Sequence, residues 1–209
     1  MTYQLIDLKE NTIAQSEHFI EGLVLASNFA TKPLSPESWL TNLFDEEAAC
    51  AINGAVVDQI NRQYAQLKSG SFKVSDILDV SNQPDQLSQL SQGFMTLWPL
   101  VEQQWQEEQV SDGTLRMMQA LLTTFMLALD EEKTREQMKQ VGYEEPPQLK
   151  DLLPQLDVMI NEVAMAADEL MTGNKSQQVN PYKEVGRNDV CVCVCVCGSG
   201  EKFKQCCGK

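Results

Sequence analysis

Apolar side chains recur at steps of three and four along residues 1–171, and no stretch there shows the sustained apolar/polar alternation of a strand. Residues three and four apart share one face of an α-helix, so such a chain hides its apolar surface by laying helix against helix. The expected fold is all-α: a multi-helix body of about six helices joined by short turns, followed by a small cysteine-rich C-terminal tail.

Start and stop signals place the helices. From Ser16, a candidate cap, Phe19, Ile20, Leu23, Val24 and Ser27 fall on one face until Lys32-Pro33-Leu34 interrupts. Ser35 followed by Pro36 and Glu37 opens a short helix with Trp39, Leu40, Leu43 and Phe44 as its apolar face. Ile52, Val56, Ile60, Tyr64 and Leu67 mark a helix within Glu46 to Lys68, which Ser69-Gly70 stops. The next begins at Pro84-Asp85 and carries Leu87, Leu90, Phe94, Leu97, Trp98, Val101 and Trp105, with Pro99 expected to kink it. Asp112 is expected to cap a helix whose Leu115, Met118, Leu122, Phe125 and Leu129 point one way, and a polar helix follows over Glu132 to Val141. After Pro146-Pro147, Leu149, Leu152, Leu156, Met159, Val163, Ala166 and Leu170 form the last series, in which Pro154 is either a kink or the true start.

At 209 residues the chain can build one sizeable core without disulfide staples, and two full domains are not expected. Its net charge of -14 is unevenly spread: residues 1–171 hold 10 basic and 27 acidic side chains, residues 172–209 hold 6 and 3. A body that acidic repels a phosphate backbone, so duplex DNA is not an expected partner. The longest strongly apolar stretch, Leu121 to Leu129, is nine residues, against about 20 needed to cross a bilayer, so no membrane span is expected. The start Met1-Thr2-Tyr3-Gln4-Leu5 has no cationic group leading into an apolar run, and a cytoplasmic location is the expectation. In that reducing compartment the seven cysteines are expected as thiols or metal ligands rather than disulfides.

Residues 172–186, rich in small and amide side chains, read as a flexible linker. Six of the seven cysteines then fall between 191 and 207. Cys195-x-Cys197 is followed, eight residues on, by the adjacent pair Cys206-Cys207. Zinc takes four tetrahedral ligands, and a short loop returning one cysteine pair to the other supplies all four. Gly198-Ser199-Gly200 gives that loop its turn, and Phe203 can pack beneath the ion in a module too small to fold by itself. The expected ligands are therefore Cys195, Cys197, Cys206 and Cys207. Four thiolates close the coordination sphere, which makes the zinc structural rather than catalytic, and iron in a rubredoxin-like site is the chemical alternative.

Arg187-Asn188-Asp189, with Cys-x-Cys-Gly-Ser-Gly-Glu-Lys-Phe-Lys-Gln-Cys-Cys-Gly, resembles the SEC-C motif, the zinc-binding element at the C-terminus of the SecA translocation ATPase. The resemblance covers residues 187–209. Here valines stand where the motif has prolines, and a Cys-Val-Cys-Val unit is extra. Anchoring on Arg187-Asn188-Asp189 selects Cys191 and Cys193; anchoring on the Gly-Ser-Gly turn selects Cys195 and Cys197. The second is preferred because the loop length to Cys206 decides whether the ligands converge. Upstream, Glu21-Gly22-Leu23, Pro36-Glu37-Ser38-Trp39-Leu40, Gln92-Gly93-Phe94 and Trp98-Pro99 resemble the YecA/YgfB family of all-helical bacterial proteins, some of which end in a SEC-C tail.

Other candidates have plainer readings. His18, the one histidine, lacks a partner at metal-binding spacing and reads as a surface or packed residue. Cys50 reads as a small core or boundary residue, and Asp45-Glu46-Glu47, Asp130-Glu131-Glu132 and Glu144-Glu145 as helix ends and solvated faces. No nucleophile, metalloprotease or phosphate-loop motif is present in the sequence, so an enzyme is not expected. The resemblance to the SecA tail implies a metal-binding adaptor that docks a protein partner, in the setting of the Sec machinery, chaperone work or the ribosome. An RNA-binding zinc module using the basic tail, and thiol-rich metal or redox handling, are the alternatives.

Overall fold

The structure is a computed structural model that describes residues 3–8, 13–79 and 81–173. The last helix runs on through Thr172 and Gly173, the first two residues of the expected linker at 172–186; residues 174–209, with the rest of that stretch and the cysteine-rich tail, lie outside the described residues. Helix is the regular structure of the described residues, as the apolar spacing predicts.

Helix α1 (Glu17–Asn28) begins where Ser16 Oγ accepts a hydrogen bond from the Phe19 amide at 3.2 Å. Every residue from Phe19 to Asn28 is buried, which makes α1 a core helix surrounded by others. In α2 (Pro36–Leu43), Trp39 and Leu40 are buried, but Leu43 is exposed and Phe44 only half-buried. This departs from the four-residue face expected, because α2 is short and packs mainly on one neighbour, α3 (Glu46–Lys68). Asp45 caps α3 by accepting from the Ala48 amide at 2.9 Å. Its other end closes with Gly70 at φ 63°, where the Gly70 amide donates to Leu67 O at 3.0 Å and the Ser71 amide to Gln66 O at 3.0 Å. That paired bond pattern with a left-handed residue past the helix end is why glycine stands there.

After a 3-10 turn at Val74–Asp76, α4 (Gln83–Trp105) runs as one element through Pro99 and buries the apolar series read from the sequence. Then come α5 (Asp112–Leu129), α6 (Glu131–Gln140), α7 (Leu149–Leu152), a 3-10 turn at Leu153–Gln155 and α8 (Leu156–Gly173). Pro154 sits in that turn, and the long last helix starts just after it. Two expectations for α5 are corrected. Ser111, not Asp112, is the cap, accepting from the Thr114 amide at 3.1 Å, while Asp112 occupies the first helical position. The buried line is Met118, Leu121 and Phe125, whereas Leu115 and Leu129 are exposed. The sequence Leu121-Leu122-Thr123-Thr124-Phe125-Met126 carries apolar residues on two adjoining faces, and packing on α4 and α8 selects the one through Leu121.

Helix α1 lies between α3 and α4; α4 packs on α5, α5 on α8, and α8 back on α3, so five helices close a ring of contacts. Gly22 of α1 meets Gly93 of α4 at their crossing. A methyl group on Gly22 would stand 2.0 Å from Leu90 O, and one on Gly93 would stand 1.9 Å from Phe19 O. Glycine is required at both because the two backbones touch. Beside this crossing Phe94 joins three elements, with Phe29 edge-on at 5.5 Å, Phe125 at 4.7 Å and Trp98 stacked at 5.4 Å. The Trp105 indole N–H donates to Phe29 O at 2.9 Å, tying the end of α4 to the chain leaving α1.

Candidate functional site

The four expected ligands, Cys195, Cys197, Cys206 and Cys207, and the alternative pair Cys191 and Cys193 all lie outside the described residues. Among the described residues no group of three or more His, Cys, Asp or Glu side chains is placed to hold a metal ion. The chemistry of the expected donor set is clear: four soft thiolates suit zinc or iron in a tetrahedral site. Cys50, half-buried near the start of α3, is the boundary residue expected, but it is disulfide-bonded, against the expectation that the cysteines are thiols or metal ligands.

His18 Nε2 lies 2.9 Å from Ile77 O, and since a carbonyl only accepts, that nitrogen carries the hydrogen. The role is structural, tying α1 to the stretch ahead of α4. Asp45 and Asp130 also do what their positions suggest, each capping a helix; Asp130 accepts from the Lys133 amide at 3.0 Å.

The described polar chemistry concentrates instead around Glu21, which is fully buried. Its carboxylate accepts from the Tyr3 hydroxyl, from Gln63 Nε2 at 2.8 Å and from Gln59 Nε2 at 2.9 Å. Gln59 Nε2 also faces Tyr3 Oη at 2.8 Å and Gln4 O at 2.9 Å, so three acceptors share two N–H bonds. Asn28 Nδ2 extends the cluster by donating to Gln63 Oε1 at 3.0 Å. Burial, offset in part by these hydrogen bonds and by the charge of Arg62, raises the carboxyl pKa from 4.5 to about 7. Burial and the adjacent Glu21 push the Tyr3 hydroxyl upward as well. The sequence signal for this cluster is a single acid inside an otherwise apolar helix, Phe19-Ile20-Glu21-Gly22-Leu23-Val24.

A second polar feature lies on the surface between α3 and α8. Tyr64 Oη donates to Asp168 Oδ1 at 2.6 Å and receives Lys68 Nζ at 3.2 Å. Burial first, then the bond to Asp168, raises the Tyr64 pKa. With Asn28, Leu67 and Met165 these residues line a cleft of about 230 Å³, the size of a side chain rather than of a typical small-molecule ligand.

In comparison with known protein families, residues 194–209 match the SEC-C motif. The matched stretch contains Cys195, Cys197, Cys206 and Cys207, and Cys191 and Cys193 precede it. No curated protein and no solved structure matches the chain. No helix among the described residues is long and apolar enough to cross a membrane. The chain thus carries, behind an all-α body, a SEC-C motif whose cysteine pattern points to metal binding.

Proposed function

We propose that this protein is a non-enzymatic cytoplasmic adaptor in which Cys195, Cys197, Cys206 and Cys207 hold one structural zinc ion. The folded tail is one docking surface, and the helical body, similar to the YecA/YgfB family, binds a protein partner. By likeness to the SecA tail, the setting is protein targeting, the handling of unfolded chains, or the ribosome. The observation that carries this reading is the SEC-C match over residues 194–209, which takes in both preferred cysteine pairs and the Gly198-Ser199-Gly200 sequence between them. Metal supplies the folding energy of so small a module, so the ion's role is to give the tail a shape.

Elemental analysis of the full chain, purified without added zinc, tests it. One zinc per chain is expected, lost in Cys195→Ser and kept in Cys191→Ser. Absence of any bound transition metal, with the tail cysteines freely titratable, would overturn it; two or more ions per chain would favour metal handling. Filter binding separates the RNA reading, which requires an affinity that falls steeply with salt.

A further inference from the structure

Cys50 is the one cysteine among the described residues, and it is disulfide-bonded. The chain's other six cysteines all lie between 191 and 207, so within one chain its partner sulfur comes from the tail. The zinc site proposed above uses Cys195, Cys197, Cys206 and Cys207, which leaves Cys191 and Cys193, the two that precede the SEC-C match. Both are within reach. Tyr64, 14 positions along α3 from Cys50, bonds Asp168, five positions from the end of α8. At about 1.5 Å per residue along each helix, and about 10 Å between the two, Gly173 stands within about 40 Å of Cys50. Cys191 follows Gly173 by 18 positions, and a chain of that length spans up to about 60 Å. The surroundings suit such a partner. Glu46 and Glu47, four and three positions before Cys50, share its side of α3 and are exposed, as is Gly54, which offers no side chain to bar approach. In the tail, Lys183 and Arg187 come eight and four positions before Cys191, so bases ahead of one sulfur face acids beside the other.

We propose that Cys50 is a redox-controlled anchor for the tail: Cys191 or Cys193 joins it in a disulfide that ties the tail to the start of α3. The choice of those two cysteines rests on the zinc reading above. A small disulfide such as oxidised glutathione is the oxidant. One protein thiolate attacks it, forms a mixed disulfide and expels one glutathione; the second protein thiolate then displaces the other. In all, two protein thiols give up two electrons and two protons, the bond between body and tail forms, the oxidant's S–S bond breaks, and two reduced glutathione molecules leave. The zinc keeps its four thiolates. Tied down, the tail is withdrawn as a docking surface, and reduction returns it.

Disulfide mapping of the full chain tests this. The purified protein is reduced, treated with oxidised glutathione, alkylated in denaturant and digested with trypsin for mass spectrometry, with zinc measured on the same sample. Cleavage after Arg187, Lys202 and Lys204 puts Cys191 to Cys197 on one peptide and Cys206 and Cys207 on another. The expected result is a cross-link from Cys50 to the peptide of residues 188–202, a loss of two alkylated thiols per chain and no loss of zinc. The double variant Cys191→Ser, Cys193→Ser should lose the cross-link. The anchor is overturned if Cys50 stays unlinked, ends capped by glutathione, or pairs with Cys50 of a second chain. A bond to the peptide with Cys206 and Cys207, or a cross-link that survives in the double variant, overturns it as well. A cross-link through Cys191 or Cys193 in protein without zinc keeps the anchor and sinks the zinc reading, and zinc without a cross-link does the reverse.

Discussion

A carboxyl group shut away from water couples folding to pH, and at Glu21 the direction of that coupling is fixed. Its pKa is raised on folding from 4.5 to about 7, so the folded state holds the proton more tightly than the unfolded chain. Stability is therefore greatest below the unfolded value, falls as pH rises through the folded value, and levels off above it, a total loss of about 3 kcal/mol. Urea unfolding followed across this range should show that decline, and Glu21→Gln should flatten it. In the sequence, Glu21 stands out as one acid in an apolar run, but its partners Tyr3, Gln59 and Gln63 lie 18, 38 and 42 positions away. No local period links them. Only the tertiary arrangement reveals that two glutamines on α3 and the N-terminal tyrosine share one carboxylate.

Among the helices, the close approach of α1 and α4 makes the sharpest demand. Gly22→Ala drives a methyl group into Leu90 O and should cost at least about 2 kcal/mol, despite about 1 kcal/mol gained in helix propensity. Gly54, on the exposed side of α3, provides the contrast, since a methyl group added there meets nothing within 4 Å: Gly54→Ala should raise stability by about 0.5 to 1 kcal/mol. Chemical denaturation of both variants checks the pair. At the start of α5, Ser111→Ala should cost about 1 kcal/mol, while Asp112→Asn loses only a charge in the first turn and should cost a few tenths. Helix positions were legible because the 3.6-residue repeat is local, and Ser16, Asp45 and Gly70 mark real ends. Which face of α5 turns inward was not, since Leu121 and Leu122 satisfy the repeat equally well and only packing on α4 and α8 separates them. The crossing glycines were visible as residues but not as a contact.

Taken whole, the molecule joins an acidic helical body to a basic cysteine-rich end, and the two are legible in different ways. The body's fold follows from periodicity, whereas the partner proposed for it does not, because a docking face would be built from residues scattered over several helices. The metal binding expected of the tail is read from its cysteine spacing, and the 194–209 match takes in both preferred pairs. If metal organises only the tail, removing it with a chelator should leave the helical circular dichroism signal and its thermal midpoint unchanged. A drop in that midpoint would mean that the body leans on the metal-bound end. The meeting of Gly22 and Gly93 also bears on movement. With main chain resting on main chain, no side chain lies between α1 and α4 at that point to change rotamer and let one slide past the other. The two form a rigid keel, and any change of shape the molecule uses must hinge away from it.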